Sequence, residues 1–210
     1  MLALEALLAE AEGIVFDCDG TLLDNVELYR QAWADGFAST GIGLDRHWHA
    51  QRSGLSESVL IDAFEREYGV TVDRQAVVRR MRQTYLEGLD QLRELTPVTA
   101  IARRFYGRKP LAVASGGSRQ IVLASLRRLG LHDLFDGVVT FDDAGIAKPR
   151  PELFLQAARC LALPAPQCLV FEDSPQGIEA GRRAGMTVVD VAQLLSVALP
   201  AAVGVAGHLR

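Results

Sequence analysis

Two aspartates with one residue between them, Asp17 and Asp19, directly follow the apolar run Ile14-Val15-Phe16. The run predicts a short buried strand, which Gly20-Thr21 ends. In α/β sheets, ligands and catalytic groups gather at the carboxyl ends of strands, where both acids would stand. Two neighbouring carboxylates are costly to bury unless a hard cation such as Mg²⁺ neutralises them. Because Asp and Gly also favour solvated turns, this stretch alone leaves both interpretations open.

Three later stretches carry side chains suited to binding an anion or a cation. Ser115-Gly116-Gly117 follows an apolar run and opens a helix, so it offers a hydroxyl and free backbone N–H groups to an anion. Lys148-Pro149 supplies a single lysine after the next run, and Glu172-Asp173 supplies two acids after the one beyond it. Taken singly, these are also explained as a strand-to-helix turn, a surface lysine and helix-capping charge.

The elements that would bring these stretches together are short apolar strands separated by helices. Helices are expected over residues 97–106 and 118–129, and further helices begin at Pro151 and at Ser174-Pro175. Such alternation is typical of a doubly wound parallel sheet, so we predict an α/β, Rossmann-like fold with a five-stranded sheet. The predicted strands cover residues 14–16, 111–114, 137–141, 168–171 and 186–190.

Residues 25–90 differ from the rest of the chain, because they show helical spacing without strand alternation. Helices are expected over 25–39, from Ser56 to Tyr68, and from Asp73 onwards. We therefore predict a helical cap inserted after the first strand. The expected domains are a Rossmann-like core of residues 1–24 and 91–210 and an inserted α-helical cap of residues 25–90.

The composition of the 210 residues argues against several classes of partner. The 22 basic and 26 acidic residues are well mixed and give a net charge of −4, so no nucleic-acid surface is expected. The longest apolar run, residues 194–207, is too short to span a bilayer and is expected to pack on the body or form a partly ordered tail. Residues 1–12 suit a short leading helix rather than a signal peptide, and three cysteines without a close-spaced motif suit free thiols in a reducing cytosol. We expect a cytoplasmic monomer or weak dimer with no membrane partner.

The residues that carry a family resemblance are Asp17-Cys18-Asp19-Gly20-Thr21-Leu22, Ser115-Gly116, Lys148-Pro149 with Pro151, and Glu172-Asp173-Ser174 with Gly177. In this order they resemble the motifs of the haloacid dehalogenase-like superfamily of phosphohydrolases. The resemblance implies that Asp17 attacks phosphorus and that Asp19 acts as general acid and then as base. Lys148, the Ser115 hydroxyl and the N–H groups of the Gly116 turn would meet the charge of the phosphoryl group.

The resemblance also implies a Mg²⁺ ion as cofactor. Its protein ligands would be the carboxylates of Asp17 and Asp173 and the backbone carbonyl of Asp19, while Glu172 would hold a water of the ion. Asp19 argues against the dehalogenases of the superfamily, which lack this second acid because a halide leaving group needs no proton.

Within the superfamily, the chain is similar to the helical-cap group that holds β-phosphoglucomutase and small sugar phosphatases, including fructose-1-phosphate phosphatases. The similarity implies that Glu27, Tyr29 and Gly54 contact the substrate, a small phosphorylated metabolite with sugar phosphates as the leading class. The features behind it are Asp24, Glu27, Trp33, Gly54-Leu55-Ser56 and Tyr106-Gly107-Arg108-Lys109-Pro110.

A phosphomutase of the same architecture is the alternative to a phosphatase. Tyr29 stands where mutases and many sugar phosphatases carry a histidine, and Glu57 replaces a basic residue that mutases place after the cap-loop serine. Losing a cationic anchor weakens the mutase interpretation, since a mutase must keep a phosphorylated intermediate bound. A catalytically silent binding protein has no direct support. His47-Trp48-His49 could place two imidazoles near a metal, but no third ligand follows, so a surface or substrate-lining role is favoured.

Overall fold

A five-stranded parallel sheet forms the centre of the computed structural model, which describes residues 2–52 and 55–198. Its strands are β1 (Gly13–Phe16), β4 (Leu111–Ser115), β5 (Gly137–Thr140), β6 (Cys168–Glu172) and β7 (Thr187–Asp190), while β2 (Leu23–Asp24) and β3 (Arg93–Glu94) form a separate two-stranded ribbon. The order across the sheet is β5-β4-β1-β6-β7. From β1 the chain adds β4 and β5 on one side and then β6 and β7 on the other, so the strand order reverses beside β1. In such doubly wound sheets, ligands bind outside the carboxyl ends of the strands at this reversal.

Helices fill the connections, and several begin or end at the residues expected from the sequence. Asp73 accepts a hydrogen bond from the N–H of Ala76 at 3.0 Å, and Ser174 accepts one from the N–H of Gly177 at 3.1 Å. The helices are α1 (Leu2–Glu10), α2 (Val26–Phe37), α3 (Arg46–Ala50), α4 (Glu57–Tyr68), α5 (Arg74–Glu87), α6 (Thr96–Phe105), α7 (Arg119–Arg128), α8 (Phe141–Ala144), α9 (Glu152–Cys160), α10 (Pro175–Arg183) and α11 (Val191–Ala198).

Alternate residues of the sheet strands pack into two hydrophobic clusters, one on each face. In β1, Ile14 and Phe16 belong to the cluster that includes α6 and α7, whereas Val15 belongs to the cluster that includes α9. All three side chains are fully buried. A strand covered by helices on both faces needs apolar residues at every position, which is why it appears in the sequence as a continuous apolar run.

Helices α2 to α5 form a helical block that has its own hydrophobic cluster and lies between β2 and β3 in the chain. Phe37 stacks on Phe64 with ring centroids 3.7 Å apart. A Cβ at Gly36 would lie 3.0 Å from the carbonyl oxygen of Val77, so the glycine lets α2 and α5 approach closely. The cluster also includes Ile121 of α7, so the helical block packs against one side of the sheet layer. The domain boundaries given above stay a prediction.

Three details of the structure depart from the sequence prediction. The β2–β3 ribbon is antiparallel, with Asp24 opposite Arg93, and no apolar pattern marks it. β5 ends at Thr140 rather than at Phe141, because Thr140 and Asp143 form a capping box that begins α8. The short helix α3 was not expected either.

The predicted terminal element over residues 194–207 is only partly covered by the structure. Residues 194–198 belong to α11, and the remainder lies outside the described residues. In the described part of the chain, no helix is both long enough and apolar enough to cross a membrane.

Candidate active site

The carboxyl ends of β1 and β6 bring three acidic side chains together. The two strands pair in a register that sets Phe16 beside Phe171, and the N–H of Asp17 donates to the carbonyl oxygen of Phe171 at 2.9 Å. Asp17 therefore lies beside Glu172, which ends β6, and beside the following residue, Asp173. Carboxylate oxygens of these three residues lie within 4.8 Å of one another.

Lys148 lies between two of these acids. Its Nζ is 2.5 Å from Oδ1 of Asp17 and 2.6 Å from Oε2 of Glu172, and its side chain is 6% exposed. Burial lowers the pKa of Lys148, but the charges of the two carboxylates outweigh burial and raise that pKa above its ordinary value. The ammonium group therefore stays charged beside Asp17.

One ammonium does not balance the acids that share its cavity. Asp17, Asp19, Glu172 and Asp173 line that cavity with Lys148. Burial and then the charge of Glu172 raise the pKa of Asp17 well above its ordinary value, and the same two causes raise the pKa of Asp173 to about 6. Clustered carboxylate oxygens with excess negative charge are the ligands that hard divalent cations prefer, so this donor set fits Mg²⁺.

Glu172 is held in place by the loop that follows β6. Its Oε1 accepts hydrogen bonds from the N–H of Asp173 at 3.1 Å, the N–H of Ser174 at 3.0 Å and the hydroxyl of Ser174 at 2.8 Å. A Cβ at Gly177 would overlap the Glu172 carboxylate, so any other residue there would displace that carboxylate. Gly177 belongs to the sequence motif, but the sequence alone does not show that its missing Cβ leaves room for Glu172.

Asp19 faces the same cavity and is held by two side chains. Nδ2 of Asn25 donates to Oδ1 of Asp19 at 2.5 Å, and the hydroxyl of Ser115 donates to Oδ2 at 3.4 Å. The N–H of Gly117 in turn donates to Oγ of Ser115 at 3.1 Å. Burial raises the pKa of Asp19, and the hydrogen bond from Asn25 is the largest opposing effect.

Asn25 is a site residue that sequence reasoning missed. A lone asparagine directly before a helix looks like an ordinary N-cap. In the structure, Asn25 is the residue before α2 but makes no side-chain hydrogen bond to that helix, and its amide points to Asp19 instead. No signal in one sequence separates these two uses.

A second cavity continues from the site to the helical block. Asp19 and Gly116 line both cavities, and the second is also lined by Tyr29, His49 and Glu57. The full lining of the second cavity is Asp19, Tyr29, Trp33, His49, Arg52, Leu55, Glu57, Leu60, Gly116, Gly117 and Ser118. The two cavities together therefore follow the boundary between the sheet edge and the helical block.

The other sequence-predicted residues are not gathered at this cavity. Glu27 is exposed and pairs with Arg30 and Arg46 on the surface of the helical block, and its predicted contact with substrate stays a prediction. Gly54 lies outside the described residues. His47 is exposed and shares a hydrogen bond with Gln51, whereas His49 is buried and lines the second cavity. The surface or substrate-lining role of the pair stays a prediction.

Comparison with known proteins identifies the family. Residues 11–185 match the family model of the haloacid dehalogenase-like hydrolases. The chain belongs to this family. Fructose-1-phosphate phosphatase YqaB of Escherichia coli (strain K12) is 34% identical over 85% of this chain and 95% of that protein. Beta-phosphoglucomutase of Bacillus subtilis (strain 168) is 28% identical over 87% of this chain and 84% of that protein.

Solved structures agree with the fold. A hydrolase from Pseudomonas syringae superposes with a TM-score of 0.77 at 26% identity and covers 85% of this chain and 84% of that chain. The predicted superfamily, the α/β fold class and the enzyme class, a phosphoric monoester hydrolase, are therefore confirmed.

Proposed function

We propose that this enzyme is a Mg²⁺-dependent phosphatase of small phosphorylated metabolites, with sugar phosphates as the leading class. The observation that carries the proposal is the buried Asp17 carboxylate. It contacts Lys148 and belongs to a trio of acids beside a cavity that Asp19 also lines. A nucleophile, a charge for the phosphoryl group and a second acid within one cavity are the parts that phosphoryl transfer needs.

In the proposed reaction, Asp17 attacks phosphorus while Asp19 gives a proton to the departing ester oxygen. The P–O ester bond breaks as the bond to Asp17 forms, which leaves an aspartyl-phosphate and a neutral alcohol. Water then attacks phosphorus, Asp19 takes its proton, and the carboxylate of Asp17 is restored. The raised pKa of Asp19 suits this role, because a carboxyl group must hold a proton before it can donate one.

Positive charge and N–H groups around the site would stabilise the transferring phosphoryl group. Lys148 already contacts Asp17, and Ser115 and Gly116 lie at the start of the turn that precedes α7. Donors held before the reaction need no reorganisation as charge develops, which is the largest source of catalysis in such reactions.

The carboxylates of Asp17 and Asp173 and the backbone carbonyl of Asp19 would hold Mg²⁺, and Glu172 would hold one of its waters. The bound ion supplies positive charge that neutralises the phosphoryl oxygens. Asp173 is kept in place by the hydroxyl of Thr21, which donates to its Oδ1 at 3.0 Å.

Sugar phosphates are favoured by the named relatives and by the polar groups that line the second cavity. Tyr29, His49 and Ser118 line this cavity and offer hydroxyl and imidazole groups that can exchange hydrogen bonds with a sugar. The helical block would act as a cap that excludes water during the reaction, with Glu27, Tyr29 and Gly54 as the predicted substrate contacts. A fructose-1-phosphate phosphatase among the relatives supports the same class.

A phosphomutase is the second candidate, because a β-phosphoglucomutase is also among the relatives. Glu57 argues against it. This residue lines the second cavity and binds Arg82 of α5 through two hydrogen bonds of 2.8 Å, so this arginine is already paired with an acid. The cytoplasmic location, the monomer or weak dimer, and the lack of nucleic-acid or membrane partners stay predictions.

Purified protein assayed with a panel of sugar phosphates tests the proposal. We expect phosphate release that requires Mg²⁺ and is lost on chelation, and the substitution Asp17→Asn should reduce it by at least about 10³-fold because it removes the nucleophile. Asp133→Asn is the matched control, since the Asp133 side chain is 97% exposed and remote from the site. Activity that survives in Asp17→Asn would refute the mechanism. Interconversion of hexose phosphates that is faster than phosphate release would establish the mutase instead.

A further inference from the structure

We propose that Tyr85 is a positioning residue for the proton carrier Asp19 and that it acts through Asn25. The inference rests on the proposed role of Asp19 as general acid and base. Tyr85 belongs to α5 in the helical block, and its hydroxyl binds Asn25 and Ser125 rather than Asp17 or Lys148. It therefore adds a residue from the helical block to the chemistry of the sheet edge.

A chain of hydrogen bonds leads from Tyr85 to Asp19. Nδ2 of Asn25 is 2.5 Å from Oδ1 of Asp19 and 2.9 Å from the hydroxyl oxygen of Tyr85. The Tyr85 hydroxyl is 3.1 Å from Oγ of Ser125 in α7. These hydrogen bonds thus connect α5 of the helical block with the residue before α2 and with α7, which packs on the sheet.

The directions of these hydrogen bonds follow from which atoms can donate. The amide nitrogen of Asn25 carries two hydrogens and no acceptor, so it donates one to Asp19 and one to Tyr85. The Tyr85 oxygen therefore accepts from Asn25, and its own hydrogen is left for Ser125. Burial, followed by the charge of Asp19, raises the pKa of Tyr85, so the hydroxyl keeps this hydrogen.

Burial keeps water from taking the place of any partner in these hydrogen bonds. Asn25 is 3% exposed, and Tyr85 and Ser125 are fully buried, so solvent is not at hand to substitute for a lost partner. With one amide hydrogen bound by Asp19 and the other by Tyr85, the plane of the Asn25 amide is held at both hydrogens, and this fixes the orientation of the Asp19 carboxyl.

The position of Tyr85 is itself fixed by packing. Its ring lies in the hydrophobic cluster of the helical block, with its centroid 4.5 Å from that of Tyr29. Removing only the hydroxyl should therefore leave the ring in place. The amide of Asn25 would lose one of its two acceptors, and Asp19 would be held less firmly for proton transfer.

The test uses three aromatic phosphate monoesters of similar size, namely benzyl, phenyl and 4-nitrophenyl phosphate, with Mg²⁺. Their leaving groups become less basic in that order, so the need for a proton from Asp19 falls along the series. For Tyr85→Phe, we expect kcat/KM, which reports the phosphoryl transfer to Asp17, to fall about tenfold with benzyl phosphate and less than about twofold with 4-nitrophenyl phosphate.

The control is Tyr68→Phe. Tyr68 also packs in the helical block, and its hydroxyl makes no hydrogen bond with any residue that the structure describes. This variant should show the wild-type dependence on leaving group. If Tyr85→Phe does not fold, Ser125→Ala removes the far end of the chain and should give a smaller change in the same direction.

Asp19→Asn, measured beside these variants, separates the two proposals. If Asp19→Asn lowers kcat/KM for benzyl phosphate far more than for 4-nitrophenyl phosphate while Tyr85→Phe lowers kcat/KM equally for all three esters or for none, the role of Tyr85 is refuted and that of Asp19 stands. If Asp19→Asn itself shows no dependence on the leaving group, the assignment of Asp19 as general acid fails, and the role of Tyr85 fails with it.

Discussion

At the scale of single residues, the position of the Glu172 carboxylate depends on Gly177, which has no side chain to occupy the same space. Glu172 binds Lys148 through one oxygen and the loop after β6 through the other. Both contacts depend on the space above Gly177, where a Cβ would overlap the carboxylate. A glycine in the first half of a helix is otherwise unfavourable, so its presence in α10 is explained by the site rather than by the helix.

The substitution Gly177→Ala should therefore displace Glu172. We expect the free energy of unfolding to fall by about 2 kcal/mol, because the new methyl group is forced into a filled space. Phosphatase activity should fall by at least about tenfold, because Lys148 loses one of its two partners. Urea denaturation and phosphate release measure the two effects. Gly43→Ala is the control, since no atom lies within 4 Å of its added Cβ, and a variant at 177 that matches it would contradict the explanation.

His49 predicts how stability depends on acid. Burial, followed by the charge of Arg30, lowers the pKa of His49 to about 4, with Glu27 acting in the opposite direction, and Arg52 lines the same cavity. The unfolded chain takes up a proton near the ordinary value of 6.5, whereas the folded protein does not until about 4. Protons therefore favour the unfolded state within this window, and the folded protein loses stability as pH falls through it.

We expect His49 to account for about 2 kcal/mol of the stability lost between about pH 7 and about pH 4.5. His49→Gln should lose correspondingly less over the same range in urea denaturation. His47→Gln should behave like the wild type, because His47 is exposed. Equal acid dependence of wild type and His49→Gln would show that His49 does not carry this effect.

At the scale of elements, α4 and α5 meet at the edge of the second cavity through Glu57 and Arg82. Glu57 lines this cavity, and the same residue pairs with Arg82 and borders a larger outer cleft of about 460 Å³ that Arg74 and Arg79 also line. The ion pair is partly exposed, so its own contribution to stability is small. Its position, at the junction of cavity and cleft, points to substrate selection instead.

The substitution Glu57→Gln should relax discrimination against substrates with a second phosphate. A carboxylate repels such a group, and its removal also frees Arg82 to attract it. We expect the ratio of kcat/KM for a hexose bisphosphate to that for a hexose monophosphate to rise about tenfold. Asp35→Asn is the control, because Asp35 pairs with Arg80 of α5 and neither residue lines the cavity or the cleft. An unchanged ratio would remove Glu57 from substrate selection.

At the scale of the whole molecule, the sequence predicts the central sheet but not the β2–β3 ribbon that joins the helical block to it. The apolar runs of β1, β4 and β6 reflect burial on both faces, so they are visible in one sequence. The β2–β3 ribbon pairs only Leu23-Asp24 with Arg93-Glu94, two segments far apart in the chain without a shared pattern. Its formation depends on how the helical block is joined to the sheet, which no local signal reports.

The candidate site likewise contains residues that the sequence predicts and one that it does not. Asp17, Lys148 and the acids after β6 were predictable, because their types and order match a family whose motifs carry the chemistry. Asn25 was not, since its use at Asp19 depends on a hydrogen bond to a helix sixty residues away in the chain. Residues that act chemically leave a pattern in the sequence, whereas residues that orient them are recognised only from their contacts.

The β2–β3 ribbon has an evolutionary consequence. The chain leaves the sheet layer and returns to it through adjacent residues, Asp24 and Arg93, which lie opposite each other. An insertion of another length or shape could occupy the interval between them without altering the order of the strands or the surroundings of Asp17. Because Asn25 and Tyr85 lie within this interval, an exchanged insertion would also have to supply a new hydrogen-bond partner for Asp19.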